Sequence, residues 1–474
     1  MARAPFTQIA LVAVGLTIAV ATQAQTDPCD PHSFAPAYFR ILEHCEGHAA
    51  LQPADERRNG LQALRYIALD GDPDDYVSLG GEARLRWERL APQRFGLAGG
   101  HDVVARGERL LLHADAHVGT WRTFLQMSAA GEANWPVARP ADRSEPEIAQ
   151  AFVDWQPGRD QYLRVGRFEL PFPTNRLVGV NDATNLRRAF QGAALRIDLA
   201  GMPLDAFVTR PVVNKPGALD DHWAAGERFN GVNVGLLRSV PMAPVSSAPM
   251  LDAIDVFVFD RYRAFAQVQN GAGAEHVQTW GTRWAAHAGH FRAALQATLQ
   301  HGRLGTQRMD GYGVTLDIAE SFEAPWSPTI SGSFGRASGD VRSGDGRIDT
   351  FDPLYANLAF STDAGYFYPG NNEDLSIALN VQPASMLQIK AGAYAIRRLQ
   401  SHDAAYQPPG IVLVPGNGTG SQRLALLPFL KTTIEVDRYD ELVLSLVELS
   451  PSDVLRTAHA RRALYSLLQW TARF

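Results

Sequence analysis

From residue 76 to its end the chain falls into segments of about 8 to 13 residues in which apolar and polar positions alternate. In Glu82 to Leu90, Ala83, Leu85 and Trp87 share one face, while Glu82, Arg84, Arg86 and Glu88 share the other. Leu110, Leu112, Ala114, Ala116 and Val118 oppose His113, Asp115 and His117 in the same way. So do Ala149, Ala151, Val153 and Trp155 against Gln150 and Asp154, and Leu430, Thr432, Ile434 and Val436 against Lys431, Thr433, Glu435 and Asp437. Side chains along a strand point to alternate faces, so each segment makes a strand with one apolar and one charged side. A soluble sandwich also alternates, but it has no reason to sort its connections by length. Here they are sorted. Of 18 candidate strands, from Tyr76–Leu90 to Arg461–Phe474, the even-numbered ones are followed mostly by tight turns: Val118–Thr120, Pro157–Asp160, Ala200–Met202, Ala288–Gly289, Pro383–Ser385 and Arg438–Asp440. The odd-numbered ones are followed mostly by long Gly-, Pro-, Asp- and Asn-rich loops: Gly131–Pro146, Pro171–Gln191, Pro211–Arg228, Ser338–Glu373 and Gln400–Arg423. Ser239–Asp252 is the exception. The pattern predicts an all-β transmembrane antiparallel β-barrel of about 18 strands, a single domain over 76–474, with an apolar outside and a wet inside.

The termini agree. Arg3, the apolar run Ile9 to Val20 and the small-residue sites Ala19-Val20-Ala21 and Thr22-Gln23-Ala24 read as a signal peptide over 1–24, too short to span a bilayer. Residues 25–75 are expected to form an N-terminal periplasmic segment that either docks a periplasmic partner or folds under the barrel. Cys29 and Cys45 are the only cysteines. In an oxidising compartment they are expected to form one structural disulfide, with two free thiols as the alternative. At the other end Trp470, Ala472 and Phe474 share a face, and a last strand ending in phenylalanine resembles the signal read by the outer-membrane insertion machinery. Trp121, Trp155, Trp223, Tyr262, Tyr366 and Tyr368 lie near expected strand ends, where interfacial girdles belong. The expected location is the bacterial outer membrane.

Other classes lack their signatures. The net charge of −6 and an exported chain disfavour nucleic acid. An enzyme in a barrel needs a nucleophile beside a positioned base, and there is no Gly-x-Ser-x-Gly elbow, Walker loop or dinucleotide fingerprint, so neither catalysis nor a cofactor is expected. Asp340, Asp345, Asp349 and Asp352 share one loop but lack the closing glutamate of a calcium site, which leaves a solvated loop. His113 and His117 lie about 13 Å apart along an extended strand, too far for one metal. Of the 44 basic residues only Lys215, Lys390 and Lys431 are lysines, leaving 41 arginines. A GC-rich genome gives such a bias, and so does a need for guanidinium forks that grip carboxylates; composition does not choose between them.

Three blocks resemble the alginate-export family of outer-membrane proteins. The first is Leu64-Arg65-Tyr66-Ile67 with Val77-Ser78-Leu79-Gly80-Gly81-Glu82-Ala83-Arg84-Leu85-Arg86-Trp87-Glu88. The second, the most specific, is Leu163-Arg164-Val165-Gly166-Arg167-Phe168-Glu169-Leu170, continuing through Asn175-Arg176-Leu177 to Asn185-Leu186-Arg187-Arg188-Ala189-Phe190-Gln191-Gly192. The third is Ser338-Gly339-Asp340 with Thr350-Phe351-Asp352-Pro353-Leu354-Tyr355 and Gly370-Asn371-Asn372. The resemblance implies a monomeric 18-stranded barrel in lipid, with an electropositive lumen that passes an anionic polysaccharide or oligosaccharide. A lumen ringed by arginines lowers the barrier to a uronate chain, provided each contact stays weak. Alternation marks Arg84, Arg86, Asp115, Asp154, Arg283 and Glu435 as candidate pore residues, and the family-like block adds Arg167, Arg176, Arg187 and Arg188. A general or anion-selective porin for small acidic solutes and a closed barrel serving surface interactions are the two other expectations.

Overall fold

The computed structural model describes residues 42–46, 60–69, 71–135, 141–158, 161–172, 176–238, 250–357, 359–418 and 420–474. The expected signal peptide over 1–24 and Cys29 lie outside the described residues; Cys45 is disulfide-bonded. Eighteen long strands run in sequence: β1 Tyr76–Ala91, β2 Val103–Val118, β3 Trp121–Ala133, β4 Ser144–Gly158, β5 Gln161–Phe168 and β6 Phe190–Leu199. Then come β7 Met202–Val213, β8 Glu227–Arg238, β9 Met250–Val268, β10 Gly271–Ala288, β11 Phe291–Leu304 and β12 Gln307–Ser321. The last six are β13 Thr329–Ala337, β14 Asn372–Ala384, β15 Leu387–Arg397, β16 Arg423–Glu435, β17 Asp440–Pro451 and β18 Ala463–Arg473. Each pairs antiparallel with the next, and β1 pairs with β18 from Glu82↔Arg473 to Ala91↔Leu464, which closes the barrel. Phe474 extends that seam through two backbone hydrogen bonds with Gly81. Closure leaves no edge strand, so every strand's backbone polar groups find partners at membrane depth. No helix among the described residues is long and apolar enough to cross a membrane.

The alternation sorts as expected. On β2, Val104, Leu110 and Leu112 are exposed on the outer face, while Arg109, His113 and Asp115 are buried inside. Trp121 and Trp155 face each other across β3 and β4 on the outer surface, as a girdle requires. Tyr366 and Tyr368 do not belong to it: both lie in the long loop 338–371, Tyr366 buried and Tyr368 half-buried.

Loop parity holds with defined breaks. The nine connections on the long-loop side are L1 (92–102), L2 (134–143), L3 (169–189), L4 (214–226), L5 (269–270), L6 (305–306), L7 (338–371), L8 (398–422) and L9 (452–462). L5 and L6 are two-residue turns, and on the opposite side the β12–β13 connection stretches over 322–328. Long loops mark the extracellular side, so both ends of the barrel start from the periplasm.

The described residues ahead of β1 pack against the barrel. Leu42, Glu43, His44 and Glu46 are buried in it: the His44 carbonyl accepts from Arg122, its ring packs edge-on against Phe124 and Phe152, and Glu43 pairs with Arg187 at 2.7 Å. Glu46 pairs with Arg65, and Ile67–Ala68 adds a short strand beside Tyr76–Val77 of β1.

Candidate functional site: the barrel lumen

Two loops cross the lumen. Within L3, Arg176 bonds Asp374 on β14 (3.1 Å) and Ser333 on β13 (2.7 Å). The loop ends against the opposite wall. There Arg84 on β1 donates to the Asp182 carbonyl at 2.8 Å, to the Thr184 carbonyl and to Asn185 Oδ1, and Arg86 donates to the Ala183 carbonyl. Arg109 on β2 bonds Glu82 on β1 and the Asp182 carboxylate at 2.8 Å, and Arg187 reaches the same carboxylate at 2.7 Å. Burial alone would raise the Asp182 carboxyl, but Arg109, Arg187 and Arg84 hold it well below the usual carboxylate range. L7 lies beside L3, joined by a parallel bridge between Val178 and Tyr355 and by Arg188, which donates to the Gly179 and Tyr355 carbonyls. From β9, Arg261 donates to the Leu354 carbonyl at 3.0 Å, and Arg261 and Arg263 both meet Asp352 at 2.7 Å. Against the cost of burial, these two guanidinium groups lower Asp352 to about 2. Asp352 also exchanges two bonds with the Gln300 amide, its carbonyl accepting from Nε2 and its backbone N–H donating to Oε1, so L7 is fastened across several strands.

The physical reason for so much arginine is visible here. Non-helical backbone at membrane depth must have its carbonyls satisfied by protein, and one guanidinium carries five donors in a fixed fork. Lysine offers a point charge instead.

The wall from β3 to β9 is sealed further. Phe124, Phe152, Phe168, Phe190, Phe207, Phe229, Phe257 and Phe259 all point inward and form one buried cluster, joined by Tyr355 of L7. Nearer the periplasm, acid–base pairs brace adjacent strands: Asp115 with Arg122, Asp154 with Arg164, Arg196 with Asp205, and Asp255 with Arg283 and Arg238. Arg164 is bidentate to Asp154 at 2.8 Å and stacks over Phe152. The wall from β12 to β16 differs. Its inward residues include Ser331, Ser333, Ser376, Asn380, Tyr394, Lys390, Lys431 and Thr433, and none of them is buried. Lumen-facing side chains are thus less covered along this side than along β3 to β9.

The expected pore residues therefore divide. Arg84, Arg86, Arg187 and Arg188 meet at L3 as its fasteners, and Arg176 anchors its other limb. Asp115, Asp154 and Arg283 face inward as strand-bracing pairs. Arg167 sits at the end of β5 on the face of Leu163 and Val165, and its guanidinium pins the rim through the Ile148 and Asp221 carbonyls. Glu435 is exposed at the periplasmic mouth opposite Glu441. Arg109, Arg122, Arg164, Arg261, Arg263 and Lys390 were not singled out from the sequence, although the same alternation places each of them inside. His113 and His117 face inward and stack on Phe124 and Tyr76 respectively. The four loop aspartates do not converge: Asp340 accepts from Asn270, Asp345 caps the backbone of Arg347, Asp349 pairs with Arg347, and Asp352 meets Arg261 and Arg263. Among the described residues, the one acidic group close enough to hold a cation is Glu147, Asp220 and Asp221 at the rim.

Several solved structures share the architecture. The Pseudomonas aeruginosa outer membrane protein OpdK matches with a TM-score of 0.53 at 11% identity, covering 84% of this chain and 99% of its own. OccK9 (OpdG) of the same organism gives 0.56 at 12% identity, covering 84% and 98%. OccK2 (OpdF), solved in complex with glucuronate, gives 0.51 at 12% identity, covering 84% and 96%. No curated protein is significantly similar in sequence. The profile of the family described as alginate export matches residues 75–468, which span the whole barrel but its last few residues. With its closed 18-stranded circuit and outer-membrane channel architecture, this chain belongs to the alginate-export family of bacterial outer-membrane proteins.

Proposed function

We propose that this outer-membrane channel passes acidic sugars, as single uronates or as an extended uronate chain, along the β12–β16 side of its lumen. The observation that carries the reading is the contrast between the two walls. L3, L7 and the phenylalanine cluster fill one side, while the other keeps hydroxyl, amide and lysine side chains partly accessible. Hydroxyl and amide groups suit sugar hydroxyls, and an accessible positive charge attracts a carboxylate without holding it tightly. Family membership supports a polymer such as alginate, and the glucuronate complex of OccK2 supports a single sugar acid. The closed strand circuit needs no second copy, which supports a monomer in lipid. Partners for an export role would meet it from the periplasmic side.

The reading is tested in planar bilayers with purified protein. Anion-selective single channels, blocked by polyuronate and permeated by glucuronate, are the expected result. An open channel without uronate block or anion preference supports a general porin instead. Absence of conductance supports a closed surface-interaction barrel.

A further inference from the structure

Lys390 on β15 and Lys431 on β16 stand directly opposite each other in the ladder, and both face the lumen. Like charges in opposed positions cost stability. A chain that uses arginine for 41 of its 44 basic residues places two of its three lysines at this one point. Most of the lumen arginines described above are fixed by two or more bonds each. The lysines are not. Lys390 is exposed and makes no ion pair among the described residues. Lys431 has one ion-pair partner among the described residues, the Asp363 carboxylate of L7 at 3.0 Å, and both side chains keep solvent contact at 37% and 26% exposure. Asn380 and Ser445 flank the pair on the neighbouring strands. A carboxylate belonging to the chain itself thus already sits against half of a two-lysine site.

We infer that Lys390 and Lys431 form the carboxylate-binding subsite of the passage, and that Asp363 is its built-in competitor, displaced from Lys431 by the carboxylate of a passing sugar acid. The inference rests on the acidic-sugar reading above. Lys390 supplies the first contact because it is free; Lys431 follows once Asp363 gives way. The competitor keeps the bound state short-lived, as conduction demands. A flexible ammonium suits this exchange better than a planar fork, which needs one fixed approach.

The test records single channels of the full chain with sodium glucuronate as the probe, measuring block duration. D363N removes the competitor and is expected to lengthen block about fivefold, while K390Q and K431Q shorten it by a similar factor. K390R keeps the charge and keeps most of the block. In the K431Q background, D363N adds nothing, since there is no longer anything for Asp363 to compete for. All variants keep the heat-shifted gel mobility of the folded barrel. Block of the parent channel that is indifferent to K390Q and D363N overturns the subsite while leaving the acidic-sugar reading intact. An open parent channel with neither block nor anion preference overturns both.

Discussion

The two sides of the lumen are built from the same strand pattern and do opposite jobs. Along β3 to β9 the inward positions carry buried phenylalanines and paired charges, and loops are clamped onto them. Along β12 to β16 the inward positions carry small polar groups and two opposed lysines that solvent reaches. Charge on the first side is structural because each guanidinium is consumed by a carboxylate or a backbone carbonyl. Charge on the second is available. An arginine count therefore says little about an ion path, whereas accessibility and partner number say a good deal.

The sharpest way to break this contrast is to remove a clamp. Arg109 is buried and joins Glu82 on the wall to Asp182 on L3. Arg109→Met leaves both carboxylates without that partner, a change of about 3–5 kcal/mol for a buried pair. Conductance is expected to rise in irregular steps as L3 detaches, and trypsin is expected to cut within 169–189. A variant with quiet, unchanged channels and an intact L3 would mean that Arg84, Arg86 and Arg187 hold the loop without it.

A second substitution asks whether the aromatic side is a core. Phe229 is fully buried, with ring centroids 5.0 Å from Phe207, 5.6 Å from Phe259 and 4.7 Å from Tyr355. Phe229→Ala should lower unfolding stability by about 3 kcal/mol, toward the lower end for a phenylalanine because a void near the lumen admits water. Ser333→Ala, on the open side, removes one hydrogen bond from Arg176 and should cost only about 1 kcal/mol. Urea unfolding of the detergent-solubilised barrel measures both. Equal losses would erase the distinction between the two sides.

Much of this was legible in the sequence. Period-two alternation and loop parity determine strand number, orientation and which residues face inward, because lipid outside and water inside impose that pattern on every strand. Arg84, Arg86, Asp115, Asp154 and Arg283 are all on the inner face as expected. Their partners were not legible. Whether an inward arginine meets a solute or a loop depends on where L3 and L7 fold, and non-periodic loops carry no alternation from which to read it. Arg167 shows the limit from the other side: its family-like block suggested the pore, yet its strand parity matches Leu163 and Val165. Tyr366 and Tyr368 near expected strand ends gave the same false signal, since a long loop that turns inward buries its aromatics rather than laying them in the interface.

The finest test concerns the foot of the clamp. Glu169, one residue beyond β5, donates its backbone N–H to Gln150, leaves carboxylate Oε2 without a hydrogen-bond partner among the described residues, and borders a small space shared with Gln126, Asn185 and Arg187. Burial raises its carboxyl from the ordinary 4.5 to about 8; Glu43 and Asp182 add to the rise, and Arg187 and Arg109 oppose it. With L3 seated, the group keeps its proton up to about pH 8, whereas with L3 released it loses it near 4.5. The seated loop therefore binds the extra proton between those values, and its advantage is whole below about 4.5 and declines as pH rises through 8. Channels recorded from pH 5 to 9 should become noisier toward the alkaline end. Glu169→Gln, which stays neutral throughout, should flatten that dependence while leaving glucuronate block at Lys390 unchanged. If the noise keeps its pH profile in this variant, the proton controlling L3 resides elsewhere, and the clamped side loses its one titratable hinge.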